Sequence, residues 1–86
     1  MTFAVEYTRV AVAYLRRLDR AAQERIKARV DRLSEDPFEG SKQLKGPDAL
    51  RSARVGGWRI IYRVDVEDRL VVVVVIGPRG QVYRDL

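Results

Sequence analysis

Residues 70–76 read Leu-Val-Val-Val-Val-Val-Ile, and no other stretch narrows the possible folds so sharply. A run this rich in β-branched side chains suits a pleated strand and is poorly suited to a helix. It lacks the polar alternation of a strand with one wet face. It therefore has to be covered on both sides, which places it inside a sheet rather than at its rim. The run is also far too short to cross a bilayer, which takes about 20 apolar residues.

The flanking sequence supplies partners for such a strand. Phe3–Tyr7 alternates Phe3, Val5 and Tyr7 against Thr2, Ala4 and Glu6, the period of a half-buried strand. Thr8 stands at a helix N-cap position ahead of Ala11, Tyr14, Leu15 and Leu18, which recur at helical spacing. Asp19 breaks that helix and caps a second. There Ala22, Ile26, Val30 and Leu33 share one face, and Arg25, Arg29 and Arg32 lie largely off it. Pro37 stops the second helix. Two helices joined so closely read as an αα-hairpin. Residues 36–49 read as a loop by composition. Leu50–Val55 is a strand ended by Gly56-Gly57, and Trp58–Asp65 alternates Trp58, Ile60, Tyr62 and Val64 against Arg59, Ile61 and Arg63.

The order is β-α-α-β-β-β, an α+β chain read as a single domain over residues 1–86. The αα-hairpin is expected to pack on one face of a small curved, mainly antiparallel four-stranded sheet, burying both apolar stripes. The other face is then left to Arg59 and Arg63, and a curved sheet carrying arginines is a groove for anions. Met1–Val10 holds Glu6 and Arg9 and no apolar segment, so the expected location is the cytoplasm, away from membranes.

Charge points the same way. Lys and Arg number 17 against 12 Asp and Glu, a net charge of +5. Lys42, Lys45, Arg51, Arg54, Arg59 and Arg63 fall in one stretch that contains a single acidic residue, Asp48. Local clustering of this kind is what neutralising several adjacent phosphates requires. The chain has neither cysteine nor histidine, so disulfides, thiolate ligands and the commonest general base are all excluded. No metal or other cofactor is expected. Asp65, Glu67 and Asp68 gather at a turn and read as a solvated loop.

Several motifs together resemble a known family. The helical end "LSEDPF", the loop "KQLKG", the strand pair "RSARVGGWRIIYRV" and the ending "VIGPRGQVY" match the RelE toxin pattern in order and spacing, over nearly the whole chain. The most specific parts are Arg54-Val-Gly-x-Trp58-Arg59-x-x-Tyr62 and Gly77-x-Arg79-x-x-Val82-Tyr83. The resemblance implies a RelE-like fold and the toxin of a type II toxin-antitoxin system, one that enters the ribosomal A site and cleaves mRNA there. Its implied partners are the ribosome, mRNA and a cognate acidic antitoxin in a hetero-oligomer. It also implies that Arg59 and Arg79 handle the scissile phosphate and that Tyr83 orients a base or the reacting nucleotide. Two departures stand out: Ser52 where relatives carry a basic residue, and Pro78 where many carry histidine.

The residues fit that chemistry on their own terms. RNA carries its own nucleophile, the 2′-hydroxyl, so a protein has to align it, stabilise extra negative charge and manage two protons. Arginine suits the charge, because its planar fork spans two phosphate oxygens, but it holds its proton too tightly to serve as a base. Arg54, Arg59 and Arg79 are therefore assigned to the transition state, and Tyr83 to positioning or deprotonation unless it only caps the core. Lys42, Lys45, Arg51 and Arg63 are assigned to the RNA strand. Trp58 and Tyr62 belong to the core. Arg25, Arg29 and Arg32 are either a solvated helix face or contacts to ribosomal RNA. Two rival readings remain open, a ParE-like inhibitor of DNA gyrase without ribonuclease activity and an inactive toxin fold that acts as co-repressor with its antitoxin.

Overall fold

A computed structural model describes residues 2–46 and 49–78. Its elements in chain order are β1 (Ala4–Tyr7), α1 (Arg9–Arg16), α2 (Arg20–Glu35), β2 (Ser41–Gln43), β3 (Arg51–Val55), β4 (Trp58–Asp65) and β5 (Leu70–Pro78). The strands form one sheet in the order β1-β5-β4-β3-β2, parallel between β1 and β5 and antiparallel elsewhere. The valine run thus lies between two partners, as its composition demands, with Val71, Val73, Val75 and Ile76 all buried.

Among the described residues the sheet has five strands, one more than the sequence suggests. The extra one, Ser41-Lys42-Gln43, lies inside the stretch read as a loop. It carries no apolar alternation and exists because β3 offers it an unpaired edge, with Ser41 opposite Ala53 and Gln43 opposite Arg51. Edges of this kind are commonly closed by a very short, polar strand.

Both helices are capped where the sequence places caps. The Thr8 side chain accepts from the Ala11 amide at 3.2 Å, and Asp19 accepts from Ala22 at 2.8 Å. Thr8 has a second task. In the β4–β5 register Ile61 pairs with Val75 and Tyr62 with Val73, so Val74 is an extra residue, a β-bulge. The Thr8 hydroxyl donates to the Val74 carbonyl at 2.6 Å, tying the start of α1 to the bulge. The bulge also resets the alternation. Val71, Val73 and Ile76 join the helix-side core with Ile26, Val30, Ala53, Ile60 and Tyr62, while Val75 turns to the opposite face.

Tyr62 is fully buried, and its hydroxyl donates to the Pro37 carbonyl at 2.5 Å, holding the exit of α2 onto the sheet. Tyr62→Phe keeps the ring and strands a buried acceptor, a loss of about 1–3 kcal/mol. The urea midpoint should fall with an unchanged slope. A midpoint equal to the parent's would show that this bond contributes nothing.

Candidate nucleic-acid interface

Register decides which side chains share a face. Arg54 lies directly opposite Arg59, and Ser52 directly opposite Ile61. The second row continues through Lys42, opposite Ser52, and Val75, opposite Ile61. Directly opposed residues project to the same side of a sheet. Ile61 and Val75 sit in an apolar cluster separate from the helix-side core, so this is the face the helices leave uncovered.

Three of the predicted residues therefore come together there, on neighbouring strands: Lys42, Arg54 and Arg59. Arg63 lies on the same face, four residues along β4 from Arg59, or ~13 Å at the usual rise per residue. Glu6 and Asp65 share that end of the face, through their pairings with Val72 and Leu70. The positive potential is thus concentrated at the Gly56-Gly57 end. Lys45 is exposed on the loop beyond β2. Arg51 is not part of the group. It pairs with Tyr62 on the helix side, donates from Nε to Ser41 Oγ at 3.0 Å and stacks 5.0 Å from the Phe38 ring centre. Arg79 and Tyr83 lie outside the described residues.

The face is not bare, as the expectation of a free sheet surface had it. Ile61 is fully buried beneath Leu44 and Leu50, with Val74 and Val75 beside them. A sheet whose central strands are apolar on both sides needs such a cover. The loop supplies it by curling back, the Leu44 amide donating to the Leu50 carbonyl at 2.8 Å.

Arg59 is half-buried against this cluster, and its Nη1 donates to Ser52 Oγ at 3.5 Å. Ser52 is 2% exposed. The departure that removes a basic residue at position 52 thus places a small acceptor next to Arg59. Arg54 is exposed. Like charges directly opposed across two strands destabilise the pair, and a bound anion relieves that repulsion. Among the described residues no group of three or more His, Cys, Asp or Glu comes together that could hold a metal ion.

The sequence profile of the ParE toxin of the type II toxin-antitoxin system, parDE, matches residues 5–83. The chain belongs to that family. Its fold is shared with solved structures of the RelE/ParE toxin-antitoxin superfamily. One is the RelBE2 toxin-antitoxin complex of Mycobacterium tuberculosis, at TM-score 0.82 and 28% identity, covering 92% of this toxin and 100% of that chain. Another is the archaeal RelE-RelB complex of Pyrococcus horikoshii, at TM-score 0.82 and 29% identity, covering 94% and 99%. A third is the isolated Escherichia coli RelE toxin, at TM-score 0.77 and 25% identity, covering 96% and 93%. No curated protein sequence matches the toxin significantly.

Proposed function

We propose that this toxin is a ribosome-dependent endoribonuclease that cuts mRNA in the A site and so stops translation. The observation that supports it best is the Arg54–Arg59 pair opposed across β3 and β4, with Lys42 beside it, on the face free of helices. In the reaction the 2′-oxygen bonds to phosphorus and the bond from phosphorus to the 5′-oxygen breaks. The products are a 2′,3′-cyclic phosphate and a free 5′-hydroxyl. One proton leaves the 2′-oxygen and one reaches the departing 5′-oxygen. Arg59 and Arg54 hold the charge that builds on the phosphoryl oxygens, with Arg79 assigned the same work. Tyr83 positions the nucleotide or takes the proton. Lys42, Lys45 and Arg63 lead the strand across the sheet. Arg51, on the opposite face and engaged with Ser41 and Phe38, is left out of this site.

The partner follows from charge and from the relatives, which include toxin-antitoxin complexes. A domain of net charge +5 is held by an acidic antitoxin segment in a hetero-oligomer in the cytoplasm, and covering the arginine face would compete with RNA. Toxin that co-purifies with antitoxin should therefore cut translated mRNA far more slowly than free toxin, and cleavage at the full rate would refute the competition.

A second reading, inhibition of DNA gyrase, draws on the ParE description of the matching profile. Induction in cells separates the two. Primer extension on a reporter mRNA should show new ends inside the translated frame while plasmid supercoiling stays normal. Relaxed plasmid with intact mRNA would favour gyrase.

A further inference from the structure

A second cationic site lies around the edge of the sheet from the first. A cleft of about 480 Å³ runs between α2 and the end of β3 and is lined by Arg25, Arg29, Arg32, Arg54, Gly40 and Val55. It exists because β2 pairs with β3 only as far as Ala53, leaving Arg54 and Val55 without a neighbour on that side. Arg25, Arg29 and Arg32 reach it from successive turns of α2, at spacings of four and three.

Arg29 and Arg25 are held in place. Arg29, 8% exposed, donates from Nε to the Arg54 carbonyl at 3.4 Å and from Nη2 to the carbonyls of Glu39 and Gly40 at 3.2 and 3.1 Å. Arg25 lies over the Trp58 ring, its guanidinium carbon 5.8 Å from the ring centre. Two glycines in the left-handed region make room. A Cβ at Gly40 would come within 3.1 Å of the Arg29 guanidinium, and one at Gly56 within 2.6 Å of that of Arg25.

Among the described residues none of them forms a salt bridge, although the Glu39 carboxylate favours the charged form of Arg29 from a distance. Among the described residues the one salt bridge is Arg20–Glu24, on exposed side chains. Glu35, Asp36 and Glu39 border a separate hollow on the far side of Arg32. Burial, and then repulsion by Arg32, hold the Arg29 guanidinium below the usual arginine range. A bound anion would offset the mutual repulsion of Arg29 and Arg32.

We infer that the cleft between α2 and the edge of β3 is a second phosphate-binding site, which takes the backbone of a folded RNA rather than the strand being cut. It deepens the RNA-directed reading but stands on different residues. Arg54 joins the two sites, with its side chain on the uncovered face and its carbonyl bound by Arg29 on the cleft side. The site contributes affinity and orientation and takes no part in bond breaking.

The test uses the whole toxin carrying Arg59→Ala, so that RNA is bound but not cut, and a labelled RNA hairpin titrated at several salt concentrations. Adding Arg25→Gln and Arg32→Gln should weaken binding about tenfold and lower the salt slope by about one to two, the signature of lost phosphate contacts. The charge-matched control R9Q/R16Q, on α1, should leave the slope near the parent's. An unchanged slope in the cleft variant, or an equal loss in the control, would overturn the inference. Inorganic phosphate added to the unmutated cleft should shift the Nε–H resonances of Arg25 and Arg29 but not those of Arg9 and Arg16. Uniform or absent shifts would also overturn it, as would tighter binding of polyglutamate than of the hairpin. Hairpin binding that depends on the cleft, together with a parent toxin (Arg59 intact) that leaves translated mRNA uncut, would sink the ribonuclease reading and leave this one standing.

Discussion

Arg59→Ala should slow single-turnover cleavage of mRNA on programmed ribosomes about 10²–10³-fold, the usual effect of removing one donor to transition-state charge. The factor should be the same at every pH from about 6 to 9, because the role assigned to Arg59 is to bind charge and involves no proton transfer. Lysine at the same position should recover only part of the rate, since a point charge reaches one phosphoryl oxygen where the fork reaches two. Arg79→Ala should behave alike. Tyr83→Phe separates the remaining roles. It should abolish any pH dependence due to a titrating phenol if Tyr83 is the base, and leave activity in place if it only stacks. Wild-type rates for the Arg59 variant would remove the proposed site.

Arg29→Ala should have the largest effect on stability. The side chain is 8% exposed and ties three carbonyls, of Glu39, Gly40 and Arg54, to the middle of α2. Hydrogen bonds from a charged donor contribute about 1.5–3 kcal/mol each, and water replaces only part of that at a half-open cleft. A net loss of ~3 kcal/mol is expected. In a domain of this size that lowers Tm by roughly 12–24 °C. Arg29→Lys should recover little, because one ammonium cannot span acceptors on both the 39–40 turn and β3. A Tm within a few degrees of the parent's for Arg29→Ala would mean that water satisfies these carbonyls equally well.

Much of this architecture was legible because its periods are clean. Trp58–Asp65 keeps its alternation in the folded sheet, with Ile60 and Tyr62 in the helix-side core and Ile61 in the separate cluster of the opposite face. Thr8 and Asp19 cap the helices that follow them. The valine run fixed its own place in the interior but hid its register, since five identical side chains carry no mark of where a bulge falls. Ser41–Gln43 was illegible for the opposite reason, having no pattern of its own and pairing only because β3 lay bare.

The site divides in the same way. Arg54 and Arg59 share a face across a two-glycine turn. Arg51 stands three residues before Arg54, an odd step along a strand, which puts it on the other side. That signal was present in the sequence and separates Arg51 from the group. Nothing comparable marks Arg29, whose acceptors are backbone carbonyls 10 to 25 residues away, identified by no side chain.

The ends left on a cut message report the reaction itself. Purified toxin is mixed with ribosomes programmed with a defined mRNA, and the same mRNA is incubated with toxin alone. Histidine is absent and position 52 carries serine, so in the proposed reaction the ribosome is expected to supply much of the alignment. A ribosome-dependent ribonuclease should cut rapidly within the A-site codon, leave a 2′,3′-cyclic phosphate on the upstream fragment and a 5′-hydroxyl on the downstream one, and leave naked RNA nearly untouched. Equal cutting of naked and ribosome-bound RNA, or intact mRNA on programmed ribosomes, would contradict that reading.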